Sequence, residues 1–493
     1  MVLAAMNAAG YRYAASDQAF YIPAILRQLD PALFPASAAL IDAQAKLTAI
    51  DEIVAAAVSL TGVSLQHLFL GLYAGTLLLL AAAAVRIGSH VYRLGWTTAA
   101  LGAALTLRHA IAKTGANTLE GYFHPRQLAF ALGLWAVAMF LRRRRRVAAI
   151  FIAGGMLIHP TTALWFAVWL CAAAALEQPA RRRVTIALGA AAAMAAAIAL
   201  TVGPLAGHLT VMDAAWLEAI GDKDLYPLVW PWDAWLTNLV TVPIVLWCWR
   251  RRERAGLTVA GERGLALGSM LLVVLFACWL PFNAAHVALA VQLQASRVFW
   301  LLDLLATIYL VWWLAEGRLR AGRETAAPDA ARQDSAAANA GRAAIVALLL
   351  LAVSAARGVY TMFVQFPDRR VFAVDIQHAD WRGAMAFART TDPRSAWLAD
   401  PIHAAKYGSS LRAAGARDVL VEALKDPAIA MYDRTAALAL ADRMRAMQAI
   451  AWDTPAGARE LARRYRLDYL IVERQIDLPL VHRSGSLYIY RLR

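Results

Sequence analysis

Residues 126–146 read RQLAFALGLWAVAMFLRRRRR, an apolar run closed by five consecutive arginines, Arg142 to Arg146. A run of this length with charge only at its rims suits a helix in hydrocarbon, where every backbone group must bond internally. An arginine block abutting such a run is retained in the cytoplasm during insertion. The block therefore sets a direction: 126–141 runs from outside to inside, with Arg126 at its outer mouth.

Working outward, comparable runs lie at 66–86, 94–112, 184–205, 234–249, 265–282, 298–315 and 343–364. Two shorter ones, 147–158 and 160–176, flank His159-Pro160; neither easily crosses alone, so the pair predicts a hairpin of short helices. Hydrophobic residues make up 60% of the 493-residue chain, and mean hydropathy is +0.50. The expected fold is a membrane all-α bundle of about 9–11 transmembrane helices, counting short broken ones, followed by a soluble α/β domain.

The net charge of +15 would suit a nucleic acid, but the excess sits in Arg142–Arg146, Arg181–Arg183 and Arg250–Arg254, each beside a span. These are topology signals, so no nucleic-acid partner is expected; membrane lipid head groups are the natural partners of such clusters. Only Lys46, Lys113, Lys223, Lys406 and Lys425 are lysines, an arginine bias in an alanine-rich chain that suits a bacterial inner membrane protein. Cys171, Cys248 and Cys278 fall inside predicted spans without paired or metal-ligand spacing, which points away from disulfides and zinc.

Alternating the spans from Arg142 places 113–125 outside, Arg86 and Arg93 inside, and 11–65 in a first external loop that carries Asp17 and Asp51-Glu52. The hairpin exposes His159-Pro160-Thr161-Thr162 on the outer side, as are 206–232, with Asp213, Glu218, Asp222 and Asp224, and 283–296. Residues 316–342 have the composition of a disordered cytoplasmic linker. Residues 1–364 thus form the transmembrane domain and 365–493 an extracytoplasmic one. In the latter, 381–390 predicts a helix, 396–400 a buried strand, 460–465 a helix leading into strand 468–473, and 480–482 with 487–491 a hairpin around Ser484-Gly485. Residues 1–10 are too short to cross and lack a signal peptide's basic start and apolar core, so they read as the stub of a first span.

The polar residues at outer span ends carry the candidate chemistry. Asp17, in Ala15-Ser16-Asp17-Gln18-Ala19-Phe20-Tyr21, could take a proton from a hydroxyl; it could equally cap a helix. His124-Pro125-Arg126 offers an imidazole and a guanidinium where a span begins, with Glu120 nearby; Arg126 could clamp a phosphate or snorkel to head groups. His159 stands at a break where Pro160 removes a backbone donor, so it either serves a ligand or satisfies freed backbone groups, and Thr161 and Thr162 could cap the next helix. Arg297 is a further phosphate candidate, and Asp303 deeper in its helix should face the interior. No Gly-rich phosphate loop, nucleophile elbow or metal-binding pair is present.

Residues 17–35, Gly121-Tyr122-Phe123-His124-Pro125-Arg126, His159-Pro160-Thr161-Thr162 and the ending Tyr465-Arg466-Leu467-Asp468-Tyr469-Leu470-Ile471-Val472 resemble the GT-C-type polytopic glycosyltransferases and their bacterial relatives. In that superfamily an acid in the first external loop lies near a juxtamembrane helix, and a soluble domain often closes the chain outside. Many members carry paired acids there, whereas Asp17 is followed by Gln18. The resemblance implies transfer of a sugar from a polyprenyl-phosphate-linked donor to an acceptor glycan, lipid or protein at the outer face. It casts Asp17 as general base, with Arg126, His124 or Arg297 on the departing phosphate and a divalent metal left open. A transporter or flippase of a lipid-linked or anionic substrate is the rival reading, since broken helices with ionisable groups also line transport paths. A non-catalytic envelope-glycan assembly protein is another.

Overall fold

The computed structural model describes residues 1–177, 182–203, 205–221, 223–319 and 329–493. Five helices are long and apolar enough to cross a membrane: Leu65–Val91, Pro160–Glu177, Glu262–Ala284, Ala288–Glu316 and Ala337–Gln365. Shorter apolar helices, among them Pro125–Leu141, pack with them. The architecture is that of a helical membrane protein with a small sheet near the carboxy terminus. Close helix contacts use small residues, as expected where lipid gives no hydrophobic push. Gly264 and Gly268 face the backbone of Ala173 and Trp169 on the Pro160–Glu177 helix, leaving no room for a Cβ at Gly264.

The bundle has two chemically distinct ends. At one, Arg252 Nε donates to Glu262 Oε1 at 2.6 Å, and its guanidinium also donates to the carbonyls of Val91 and Leu257. Glu316 accepts the backbone N–H groups of Arg93 and Leu94, and Arg142 donates to Arg86 O. The arginine-bearing helix ends therefore gather together, as the charge pattern required. The other end is reached along Pro125–Leu141, whose 17 residues span about 25 Å. His124, His159 and Arg297 lie there.

Several expectations about individual spans are corrected. The run 94–112 is helical only over Gly95–Leu105; Lys113 and Gly115 adopt positive φ, and 106–124 is an irregular segment at the site end. The run 234–249 divides into Trp232–Leu239 and Thr241–Arg254, because Pro243 has no N–H to continue the ladder. The 147–176 hairpin forms from Arg145–Ile158 and Pro160–Glu177, but its second arm is long and apolar enough to cross by itself. Residues 320–328 of the expected linker, with Arg181 and Asp222, lie outside the described residues. From Asp329 the chain is already helical, since an alanine-rich run has high helix propensity whatever its polarity.

Residues 365–493 contain a five-stranded sheet in the order Asp418–Val419, Ala396–Leu398, Tyr469–Val472, Leu487–Arg491, Leu480–Ser484. The first three are parallel and the hairpin antiparallel. Helices Ala379–Thr390, Arg434–Ala449 and Pro455–Tyr465 accompany them.

The first loop is folded onto this region. Helices Gln18–Leu29, Ala38–Ala45 and Ile50–Thr61 shape it, and Tyr11–Arg12 pairs in parallel with Phe372–Ala373. Residues 1–10 hold a short helix, Val2–Asn7, whose Asn7 amide donates to Ser354 O and Oγ. The buried Asp418 carboxylate accepts the backbone N–H groups of Ala36 and Ser37 at 2.7 and 3.1 Å and the Ser37 hydroxyl at 2.5 Å. Since a hydrogen bond to a charged group contributes about 1.5–3 kcal/mol, Asp418→Ala should free residues 30–37 from the sheet. Faster proteolysis in that segment and a lower Tm are expected; cleavage and Tm like wild type would contradict this docking.

Candidate functional site

A cavity of about 500 Å³ opens at the His124 end of the bundle, under the first loop and the carboxy-terminal region. Asp17, Glu120, His124, Arg126, His159 and Arg297, six residues spread over almost 300 positions of the sequence, all line it. Asp303 does not; it pairs with His109 at 3.0 Å.

Asp17 occupies the position preceding helix Gln18–Leu29, yet its carboxylate caps no helix N–H. Instead Oδ2 accepts from His124 Nε2 at 3.0 Å and from the Tyr122 hydroxyl at 3.3 Å, while Oδ1 accepts from Lys425 Nζ. Gln18 donates to Phe123 O at 3.1 Å and holds the loop against the His124 segment.

The two His-Pro motifs share one construction. Pro at the first helical position suits a helix start, and the preceding histidine caps it. His124 Nδ1 accepts Arg126 N–H at 3.0 Å, so the ring proton belongs on Nε2, which donates to Asp17. His159 Nδ1 accepts from the Thr162 hydroxyl at 3.0 Å and from Thr162 N–H at 3.4 Å. Thr161 and Thr162 thus serve the histidine and do not themselves cap the helix. Among the described residues His159 Nε2 has no hydrogen-bond partner, and its ring lies 6.2 Å from that of His124, centroid to centroid.

Arg126 donates to Glu120 Oε1 at 3.0 Å, and both are buried. Arg297 ends a short turn begun by Gln294, a non-glycine residue at φ 45. Its guanidinium has no ion pair or hydrogen bond among the described residues, and its Nε is buried and unsatisfied.

Sequence reading missed Lys425, Arg12, Arg108, Lys113 and Arg369, which also line the cavity. The scarcity of lysine was the one usable signal: two of the chain's five lysines stand here. Seven cationic side chains face three carboxylates, Asp17, Glu120 and Asp224. Such a surface suits an anionic ligand and poorly suits a divalent cation; among the described residues no three His, Cys, Asp or Glu side chains converge to hold a metal.

Burial raises the Asp17 carboxyl, but Lys425, the His124 hydrogen bond and Arg126 together hold it well below the usual carboxylate range. Burial, with Arg126, pushes His124 down to about 4, against the opposing pull of Asp17. Asp17 is therefore ionised and His124 neutral at neutral pH. Burial raises Glu120 despite Arg126.

No protein-family model matches this chain, and no curated protein matches it either.

Because the folded His124 pKa lies below its unfolded value, its contribution to stability is full above pH 6.5 and is lost as pH falls toward about 4. Acid unfolding in detergent should show this slope, and His124→Asn should flatten it. An unchanged slope in the variant would show that His124 is not buried neutral.

Proposed function

We propose that this protein is a GT-C-like glycosyltransferase of the bacterial inner membrane, working at the outer face with residues 365–493 extracytoplasmic. The observation that carries the reading is a carboxylate and an unpaired guanidinium, Asp17 and Arg297, facing one cavity at the bundle end opposite the arginine blocks. About 500 Å³ falls in the usual range for small-ligand pockets and accommodates a sugar with its phosphate, the prenyl tail running out into lipid.

In the proposed reaction the acceptor oxygen attacks the anomeric carbon and gives its proton to Asp17. The bond from that carbon to the phosphate oxygen breaks, and the phosphate departs with the electron pair. Charge appearing on it needs preorganised donors more than acid assistance. Arg297 and His159 Nε2 are unencumbered for this task, and Arg126 adds its charge beside them. His124 spends its Nε2 proton on Asp17, so it orients the base and does not grip the phosphate.

Lys425 also matters. While its ammonium sits on Oδ1, Asp17 is a weak base; an acceptor hydroxyl replacing it there would let basicity rise as proton transfer requires.

The test is transfer of radiolabelled sugar from a polyprenyl-phosphate donor by full-length protein in nanodiscs. Positioned general bases contribute about 10²–10⁴-fold, so Asp17→Asn should lose that much in kcat, while Arg297→Gln weakens both kcat and KM. Full transfer by Asp17→Asn would overturn the reading and favour a carrier, flippase or assembly role.

A further inference from the structure

The charge imbalance of the cavity exceeds what one phosphate monoester requires. Three of its seven cations have a carboxylate partner: Lys425 pairs with Asp17, Arg126 with Glu120, and Lys113 with Asp224. Among the described residues Arg12, Arg108, Arg297 and Arg369 have none. Guanidiniums gathered in a partly desolvated space repel one another; Asp368 and Asp375 line an adjoining pocket with Arg12 and Arg369 but form no ion pair with them, so an anion from outside the chain would offset the excess.

Three of these four, all but Arg108, fall into two neighbourhoods. Arg297 stands near Arg126, at the mouths of helices Val298–Glu316 and Pro125–Leu141. Arg12 and Arg369 are brought together by the parallel pairing of Tyr11–Arg12 with Phe372–Ala373, and Arg12 is held beside Tyr122 by its backbone bond to Gly121 O at 2.8 Å. Arg12 Nε is buried without a partner, as Arg297 Nε is. Arg369 stacks on Phe366, 3.7 Å from the ring centre, which fixes its plane. Asp17, bonded to both Tyr122 and His124, is common to the two neighbourhoods.

We propose that the cavity binds two anionic groups at once: one at Arg126 and Arg297, and a second oxyanion, phosphate or carboxylate, at Arg12 and Arg369. This rests on the transferase reading for the identity of the first anion as the donor's phosphate. The second belongs either to the same donor, as a lipid diphosphate, or to an acidic acceptor whose hydroxyl is thereby presented to Asp17. In both cases bidentate arginine geometry matches the oxyanion.

The experiment uses full-length protein in zwitterionic nanodiscs, with labelled inorganic phosphate and pyrophosphate in equilibrium dialysis. Wild type should bind two phosphates per chain. Arg12→Gln with Arg369→Gln should leave one, the lost site weakened about tenfold or more, and Arg297→Gln should remove the other. Arg12→Lys with Arg369→Lys, which keeps both charges but loses the bidentate fork, should retain a second site weakened less than in the glutamine variant, and controls for folding. Pyrophosphate binding about a hundredfold tighter than phosphate would place both anions on one donor; comparable affinities would place the second on the acceptor. One phosphate per wild-type chain, or two in the double glutamine variant, overturns the proposal. Transfer that still depends on Asp17 alongside that result would leave the transferase reading standing.

Discussion

The Asp17 carboxylate joins three parts of the chain that have no local reason to meet. Tyr122 and His124 reach it from the segment leading into a membrane helix, Lys425 reaches it from the carboxy-terminal sheet region, and the first loop carries it. A carboxylate in so secluded a place is costly unless charged or polar donors surround it. Every oxygen of Asp17 is so served. The ion pair with Lys425 closes the cavity from above, while the histidine bond fixes its depth relative to the bundle.

Other contacts repeat that arrangement at a distance from the cavity. Asp418 grips the first loop at Ala36 and Ser37, Trp216 donates to Ala430 O, and Gln292 donates to Met431 O. Loops from separate spans thus rest on one face of the carboxy-terminal region, which acts as a lid built into the fold. The site is accordingly composite: the bundle supplies histidines and guanidiniums at helix mouths, the first loop supplies the carboxylate, and the carboxy-terminal region supplies the lysine. Helix starts suit the histidines because a proline-led helix leaves N–H groups for Nδ1 to accept, which forces the Nε2 proton toward the cavity.

Much of this was legible in the chain. Arg142–Arg146 predicted an apolar helix ending at the block; Pro125–Leu141 ends there, and Arg142 meets the Arg86 end of the neighbouring helix. The candidate residues, from Asp17 in the first loop to Arg297 at a helix mouth, do share one cavity, at the bundle end away from the arginine-bearing helix ends. Lys425 was not legible: it meets Asp17 across 408 positions of sequence, and no local pattern encodes such a contact. Residues 106–112 misled because averaging over a span-length window lets the apolar flanks mask Thr106, Arg108 and His109, which break the run. The linker misled in the opposite sense, since polar alanine-rich sequence is compatible with both disorder and helix. The histidine roles needed coordinates, as only geometry shows which ring nitrogen is committed to a helix N–H.

The most direct test of the central claim is a double-mutant cycle between Asp17→Asn and Lys425→Met, read as thermal stability of the full-length protein in detergent at neutral pH. Residues sharing one charged network couple by about 0.5–3 kcal/mol. The account predicts that the double variant loses less stability than the two single variants together, by an amount in that range. Strict additivity would contradict it, for it would mean that the carboxy-terminal lysine does not close the site onto Asp17.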